Sequence, residues 1–281
     1  MKRIELIKSA YKLLVMDVDG TLLGQDGAVS AEDREALARV AAMGIKISLS
    51  TGRTLLSSRS IIDQLSLDGY HILFDGALIV DPVRNEEVLA QTISKELVRE
   101  AVKFAHQKDI NLELFSATRY FIERESWASD IRRNYFNIQP TLVDFTDIWE
   151  RERIIKGTIA VHNPEEKAQA EMFSRQFKDS LSDLRFSWTA TPAYPKVDFI
   201  NIVALGVSKG TALKALTSHL KIPLSAVMAI GDERNDIPLL TEAGLAVAME
   251  NALDEVKAVA DYVTLDVDHS GVAAAVNKFL L

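Results

Sequence analysis

Residues 17–22 of the chain read Asp-Val-Asp-Gly-Thr-Leu and follow the apolar run 13–16. Four apolar residues bounded by a turn-forming glycine indicate a short buried strand, so Asp17 and Asp19 fall at its carboxyl end. Ligands bind at this edge of open α/β sheets. The two carboxylates repel each other there, and a divalent cation with oxygen ligands would offset the cost of burying them. Taken alone, the segment fits a cation site and an ordinary Asx turn equally well.

Three further groups of polar residues stand at comparable places. Residues 51–53 (Thr-Gly-Arg) end one apolar run, Lys209 opens a helical segment, and Asp232 ends another apolar run shortly before Asn235 and Asp236. Each group alone is compatible with ordinary turn chemistry. Together, four carboxylates, a lysine, a hydroxyl and backbone N–H groups at one sheet edge match the requirements of phosphoryl transfer. Mg²⁺ and a cationic side chain would neutralise the phosphate and the carboxylates.

Strand and helix patterns alternate in the first part of the chain and must position these groups. Strands are predicted near residues 13–16, 45–50 and 71–74, and a helical pattern separates each strand from the next. This βαβαβ order indicates a parallel sheet with right-handed crossovers. The carboxyl ends of parallel strands meet at one edge of the sheet, so the polar groups that follow them are expected to lie together.

The pattern changes in the middle of the chain, where neighbouring strands occur without a helix between them, as in an α+β domain. The sequence therefore predicts an α/β fold with a Rossmann-like parallel-sheet core of residues 1–82 and 197–281. An α+β domain of residues 83–196 is inserted into that core. Linkers between the two parts are expected at residues 81–82 and 191–195, because both segments carry proline.

Composition excludes several classes of protein. The chain has 281 residues, of which 48% are apolar, so a sizeable core can be buried. Its 32 Lys and Arg residues against 40 Asp and Glu give a formal charge of −8, which argues against a general nucleic-acid binder. The absence of cysteine excludes disulfides, thiolate metal sites and a cysteine nucleophile. Because we find neither a secretory signal nor an apolar run of about 18 residues, we expect a cytoplasmic protein without a membrane partner. It is expected to be a monomer or a small homo-oligomer.

The motifs in this order resemble those of the haloacid dehalogenase (HAD) superfamily, in particular its Cof-type phosphatases. In those enzymes a large C2-type cap is inserted between the second and third motifs. The resemblance covers the predicted core, and the pair Asp-x-Asp-Gly-Thr-Leu and Gly-Asp-x-x-Asn-Asp is highly specific at this separation. The predicted insertion resembles a cap only in its position and length.

The resemblance implies a role for each motif residue. Asp17 would be the nucleophile that forms an aspartyl-phosphate, and Asp19 would protonate the leaving oxygen and then activate water. Arg53 would support the site without touching substrate. The phosphate-binding groups would be the backbone at Val18 and the residues Thr51, Gly52, Lys209 and Asn235. Mg²⁺ would be held by the carboxylates of Asp17 and Asp232, by the carbonyl of Asp19, and by Asp236 directly or through water.

The chain departs from the family pattern at two places. The family commonly has Asn-Gly-Ala after the third core strand, whereas this chain has Asp75 followed by Gly76 and Ala77. A carboxylate there adds negative charge near the phosphate entrance. Where the family often has Met-Gly-Asn, this chain has Met-Glu-Asn at residues 249–251, a loop expected to be peripheral.

The function implied by the resemblance is Mg²⁺-dependent hydrolysis of small phosphorylated metabolites such as sugar phosphates, nucleotides or cofactor phosphates. One alternative is a phosphomutase of the same superfamily, which would usually carry a smaller cap between the first two motifs. Another is a catalytically weak regulatory protein that binds a phosphorylated ligand. A response receiver is a third, although receivers are about half this length. Substrate recognition is expected to depend on the inserted domain.

Overall fold

The computed structural model describes residues 10–24, 27–178, 183–191 and 194–281. The chain divides into two compact units. The first contains the chain up to Arg53, together with Ser60–Leu89 and Ser208–Leu281. The second contains Thr54–Arg59 and Ala90–Val207.

Strands and helices alternate along the described chain. The strands are β1 (Leu13–Met16), β2 (Lys46–Leu49), β3 (His71–Leu73), β4 (Leu78–Asp81), β5 (Glu86–Ala90), β6 (Leu112–Phe115), β7 (Tyr120–Ile122), β8 (Pro140–Leu142), β9 (Lys156–Val161), β10 (Leu184–Thr191), β11 (Tyr194–Ala204), β12 (Val227–Gly231), β13 (Leu245–Ala248) and β14 (Tyr262–Val263). The α-helices are α1 (Ala31–Ala42), α2 (Leu55–Gln64), α3 (Lys95–Gln107), α4 (Trp127–Asn134), α5 (Ile148–Arg151), α6 (Pro164–Lys178), α7 (Lys209–Leu220), α8 (Ile237–Glu242), α9 (Asp254–Lys257) and α10 (Gly271–Phe279). Short 3₁₀ turns occur at Phe74–Gly76, Leu224–Ala226, Arg234–Asp236 and Val267–His269.

The first unit is built on a five-stranded parallel sheet in the order β14-β13-β12-β1-β2. All four residues of β1 are buried, because strands covered on both faces need apolar side chains in succession rather than in alternation. A parallel bridge between Ser50 and Ile72 joins the end of β2 to β3, which forms a second small sheet with β4 and β5. The parallel core confirms the predicted α/β fold class.

The second unit contains a six-stranded sheet in the order β10-β11-β9-β6-β7-β8, antiparallel except for the parallel pair β7–β8. Neighbouring residues of β9 face opposite sides, since Ile159 belongs to the apolar cluster of α3 and α6 whereas Ala160 packs with Ala128 of α4. Helices therefore lie on both faces of this sheet, and the unit has the α+β character that the sequence predicts.

The boundaries of the second unit differ from the predicted ones. Residues 197–204 belong to β11, which pairs with β10 and β9 and so continues the sheet of the second unit. Of the predicted return linker at 191–195, residue 191 ends β10, residues 194 and 195 begin its antiparallel partner β11, and residues 192 and 193 lie outside the described residues. The large segment of the second unit runs from Ala90 to Val207 instead of 83–196, and the unit also includes Thr54–Arg59. In the part of the chain that the structure describes, no helix is long and apolar enough to cross a membrane.

Candidate active site

The predicted nucleophile and the predicted cation are in direct contact. Asp17 follows β1 directly, and its backbone N–H donates to Ile230 of β12 at 3.0 Å, which holds it at the carboxyl edge of the sheet. Lys209 Nζ donates to Asp17 Oδ1 at 2.7 Å and to Asp236 Oδ1 at 2.6 Å. The lysine is only 1% exposed. The parallel sheet thus brings the first, third and fourth motifs together at one edge.

Helix α7 places Lys209 at this edge. Ser208 caps the helix, since its Oγ accepts from the backbone N–H of Thr211 at 3.0 Å while Thr211 Oγ1 accepts from the N–H of Ser208 at 3.1 Å. Lys209 is therefore the first helical residue, where its charge adds to the positive end of the helix dipole. Burial alone would lower the pKa of the Lys209 ammonium, but the carboxylates of Asp17 and Asp236 raise it above its ordinary value. Lys209 is a permanent cation in the site.

Three buried carboxylates form the candidate metal centre. Asp17, Asp232 and Asp236 each offer an oxygen, and these oxygens lie within 4.8 Å of one another. Burial raises the pKa of Asp17 well above its usual range, against the opposing effect of Lys209. Burial and the neighbouring Asp236 raise the pKa of Asp232 to about 8. These carboxylates are costly to ionise together without a counterion. Their hard oxygen donors fit a divalent cation such as Mg²⁺.

Two residues of the first loop hold Asp232 in place. Thr21 Oγ1 donates to Asp232 Oδ1 at 2.7 Å. Gly20 has a φ of +83°, and a Cβ at this position would overlap the Asp232 carboxylate. The sequence predicts no separate role for Thr21, although the residue stands inside the first motif. The loop of the first motif therefore supports the candidate metal centre as well as carrying the predicted nucleophile.

Asp236 has both of its carboxylate oxygens engaged. Oδ1 accepts from Lys209, and Oδ2 accepts from the backbone N–H groups of Asp232 and Glu233, each at 3.1 Å. These bonds close the loop after β12 and orient the preceding Asp232. Of the two roles expected for Asp236, the indirect one through water is the more compatible with these bonds.

Asp19 is held by Arg53 in a two-point ion pair. Arg53 Nε donates to Asp19 Oδ2 at 2.8 Å, and its Nη2 donates to Oδ1 at 2.6 Å. The Asp19 side chain is partly exposed, unlike that of Asp17. The sequence predicts that Arg53 supports the site but does not identify its partner. In the structure that partner is Asp19, the predicted general acid and base.

The predicted phosphate-binding loops are tied to the sheet by their backbones. Thr51 donates its N–H to Ile72 at 3.0 Å, and its Oγ1 accepts from the N–H of Arg53 at 3.1 Å. That bond does not use the hydroxyl hydrogen of Thr51, which can therefore donate to a ligand. The carbonyl of Val18 accepts from Leu22 and Leu23, both at 2.8 Å, and so closes the turn of the first motif.

The remaining predicted site residue, Asn235, contacts the residue at which the chain departs from the family pattern. Asn235 Nδ2 donates to Asp75 Oδ1 at 2.8 Å. Asp75 itself is buried. The sequence predicts a position for Asp75 near the phosphate entrance but identifies no partner for it. The pairing links the loop after β3 to the loop after β12.

The loop at residues 249–251 is less peripheral than expected. Asn251 Nδ2 donates to the carbonyl of Gly20 at 2.9 Å, and its Oδ1 accepts from the N–H of Val267 at 3.0 Å. Asn251 thereby braces the loop that carries Asp19. Nothing near Asn251 in the sequence signals this contact, because its partner Gly20 lies 231 residues away.

Comparisons with known proteins agree with this geometry. The family of haloacid dehalogenase-like hydrolases matches the chain over residues 14–276. The putative phosphatase YxeH of Bacillus subtilis is 30% identical over 275 residues, which cover 96% of this chain and 99% of YxeH. The 5-amino-6-(5-phospho-D-ribitylamino)uracil phosphatase YcsE of the same organism is 30% identical over 270 residues, 96% of each chain. Among solved structures, the phosphatase BT1666 from Bacteroides thetaiotaomicron is 31% identical over 96% of both chains, with a TM-score of 0.78.

Proposed function

Because the chain belongs to the haloacid dehalogenase-like hydrolases, we propose that it is a Mg²⁺-dependent phosphatase that hydrolyses small phosphorylated metabolites through a phosphorylated Asp17. The family match and the relatives named as phosphatases confirm the Cof-type resemblance and the hydrolase class. The observation that carries the proposal is the buried contact of Lys209 with Asp17, beside the carboxylate of Asp232. It puts a nucleophile, its countercharge and a set of metal ligands into one buried cluster.

Asp17 is the nucleophile in this proposal. A carboxylate oxygen of Asp17 attacks phosphorus, and the bond between phosphorus and the ester oxygen breaks in line with the attack. The contact of Lys209 with Oδ1 favours the ionised form of Asp17, which burial alone would disfavour. The same ammonium also balances the charge of the bound phosphoryl group.

Asp19 transfers the protons of both steps. It gives a proton to the leaving ester oxygen, and in the second step it takes one from the water that attacks the phosphorylated Asp17. The bidentate ion pair with Arg53 fixes the orientation of the Asp19 carboxylate. To act as an acid, Asp19 must release at least one of its contacts with Arg53.

The metal centre of the proposal consists of the carboxylates of Asp17 and Asp232 and the carbonyl of Asp19, with Asp236 acting through water. The donor set fits Mg²⁺, since all donors are oxygens and the three buried carboxylates repel one another. When bound, Mg²⁺ would supply positive charge to the phosphoryl oxygens. Thr51, Asn235 and the backbone of Gly52 would bind the remaining phosphoryl oxygens.

The second unit is proposed to be the cap that selects the substrate, as the resemblance implies. YcsE, which matches this chain over nearly its full length, is named for a phosphorylated ribityl compound. We infer for this chain a phosphomonoester of a small polar metabolite, such as a sugar phosphate or a cofactor phosphate, with no nucleic-acid or membrane partner and a cytoplasmic location.

The experiment is to measure phosphate release from a panel of such esters with Mg²⁺ and with a chelator. Wild-type protein is expected to release phosphate only with Mg²⁺, and Asp17→Asn is expected to release none. Asp254→Asn, an exposed aspartate outside the site, is the matched control and should retain full activity. Full activity of Asp17→Asn would refute the assignment of the nucleophile.

A further inference from the structure

The backbone at Asp75 has a left-handed conformation, which limits the residue types that fit at this position. Phe74, Asp75 and Gly76 have φ values of +54°, +58° and +106°, in the left-handed region. Asn and Asp adopt this region more readily than other non-glycine residues. The backbone N–H of Asp75 also donates to Thr51 at 3.0 Å, which fixes the turn against the predicted phosphate-binding loop. The conformation allows Asn or Asp at this position, and this chain has Asp, the residue with the carboxylate.

The carboxylate of Asp75 lies directly against the phosphate-binding loop. Its two oxygens are 3.0 and 3.1 Å from the point that a Cβ on Gly52 would occupy, so a larger residue than glycine would crowd it. Asp75 is 4% exposed, and its negative charge acts on the buried ammonium of Lys209. The carboxylate therefore stands among the groups proposed to hold the phosphoryl group.

One oxygen of Asp75 fixes the orientation of Asn235. Asp75 Oδ1 lies 2.8 Å from Asn235 Nδ2. A carboxylate only accepts hydrogen bonds, so the amide atom that faces it must be the nitrogen. The amide oxygen, Asn235 Oδ1, is thereby turned away from Asp75 Oδ1.

Two buried acceptors remain at this point. Asp75 Oδ2 and Asn235 Oδ1 are both buried, and neither has a hydrogen-bond partner among the described residues. We call these two oxygens the acceptor pair. Leaving a buried acceptor unpaired is unfavourable, and such atoms in a native protein indicate an unplaced water, an ion or a ligand group.

We propose that the acceptor pair binds a hydrogen-bond donor carried by the phosphorylated ligand. The donor is an O–H or N–H group, either on the phosphoryl group itself or on the leaving group close to the ester oxygen. The inference rests on the proposed function, because that function places the phosphoryl group beside Gly52 and Lys209. A carboxylate acceptor here selects ligands that carry such a donor and disfavours those that present only lone pairs.

The residue that the family commonly has at this position provides the sharpest variant. In Asp75→Asn, the amide oxygen can still accept from Asn235 Nδ2, and the amide nitrogen then takes the place of Asp75 Oδ2. The substitution therefore keeps the left-handed backbone and replaces one acceptor with a donor. Asp75→Gly also tolerates the backbone and removes both oxygens. Circular dichroism and thermal melts of both variants would establish that they fold.

The first measurement is calorimetric binding of inorganic phosphate and of sulfate, with Mg²⁺ and near neutral pH. The two anions have similar size and shape, but phosphate keeps an O–H there and sulfate has none. If the donor is on the phosphoryl group, the wild type prefers phosphate. Asp75→Asn then lowers the ratio of phosphate to sulfate affinity by about tenfold or more, the size of one charge-assisted hydrogen bond. Asp75→Gly lowers the ratio as well.

The second measurement compares kcat/KM for 2-hydroxyethyl phosphate and propyl phosphate, which have similar length and differ in one donor. A drop of about tenfold in this ratio in Asp75→Asn, without a change in the anion ratio, assigns the donor to the leaving group. If neither ratio changes in the two variants, the acceptor pair binds no ligand donor and the inference is wrong. In that case Mg²⁺-dependent hydrolysis by the wild type leaves the proposed function intact. If the wild type neither binds phosphate nor hydrolyses any ester, both proposals fail.

Discussion

Lys209 and Asp17 form a buried ion pair in which the ammonium nitrogen lies 2.7 Å from the carboxylate oxygen, although the residues are 192 positions apart in the chain. Both side chains are almost completely buried, so neither can exchange its partner for solvent water. The same ammonium also contacts Asp236. This pair connects the proposed nucleophile to the loop of the candidate metal centre, so a change at Lys209 should affect both stability and catalysis.

Replacing Lys209 tests that double role. Lys209→Met leaves two buried carboxylates without their cation and should lower the free energy of unfolding by about 3 kcal/mol. Phosphatase activity should fall by about a hundredfold or more, because the phosphoryl group loses a charged donor. The measurements are urea unfolding and steady-state kinetics. Lys214→Met on the same helix is the matched control, since it breaks only the exposed pair with Glu242 and should change stability by at most about 1 kcal/mol. Equal effects of the two substitutions would contradict the assigned role.

Metal binding should be visible as a gain in thermal stability. Ligand at a hundredfold excess over its Kd stabilises a folded protein by about 2.7 kcal/mol, so saturating Mg²⁺ should raise the melting temperature relative to chelator. Asp232→Asn removes a ligand charge and also removes repulsion within the cluster. The variant should therefore melt higher than the wild type in chelator and gain little from Mg²⁺. Asp254→Asn should behave as the wild type does in both conditions. A normal Mg²⁺ response in Asp232→Asn would remove this residue from the metal centre.

Much of this site could be predicted from the sequence because the motifs follow parallel strands. Asp17 and Asp232 each end an apolar run, and neighbouring parallel strands necessarily end at the same sheet edge. Which atoms pair across that edge could not be predicted. The contacts of Arg53 with Asp19 and of Asn235 with Asp75 depend on loop conformations, including a left-handed Asp75, that no periodicity encodes.

The boundary of the second unit was missed for a related reason. The prolines at residues 192 and 195 indicate a linker, since proline is rare inside central strands. The structure instead places residue 195 near the start of the long strand β11, beyond which the chain continues to Ala204. Strand pairing with β9 and β10 is a long-range property, and it outweighs the local signal of the proline.

The ion pair between Arg53 and Asp19 should contribute to catalysis more than to substrate binding. Arg53→Met removes both hydrogen bonds to the Asp19 carboxylate, so the proposed general acid and base loses its fixed orientation. We expect kcat to fall by about tenfold to a hundredfold with a smaller change in KM. Arg34→Met, on the exposed face of α1, is the control. An unchanged kcat in Arg53→Met would show that Asp19 needs no support from this residue.

His71 should make the folded protein less stable in mild acid. The ring is completely buried, its Nδ1 accepts from the backbone N–H of Leu49 at 3.2 Å, and burial lowers its pKa to about 4. In the unfolded chain the His71 ring binds a proton near the ordinary histidine pKa of about 6.5. Between the unfolded pKa and the folded pKa of about 4, the unfolded chain therefore holds more protons than the folded protein. The free energy of unfolding should therefore fall as the pH is lowered from about 6.5 to 4, by about 3 kcal/mol from this residue.

The contribution of His71 can be separated from that of the metal centre. The raised pKa values of Asp17 and Asp232 act in the opposite direction, since the folded protein without metal binds their protons more readily than the unfolded chain does. The measurement is therefore the difference between wild type and His71→Asn in urea unfolding with chelator, at a series of pH values. Asn retains an acceptor for Leu49 but does not titrate, so the wild type should lose stability relative to the variant as the pH falls through this window. A difference that is constant with pH would show that His71 is protonated equally in the folded and unfolded states.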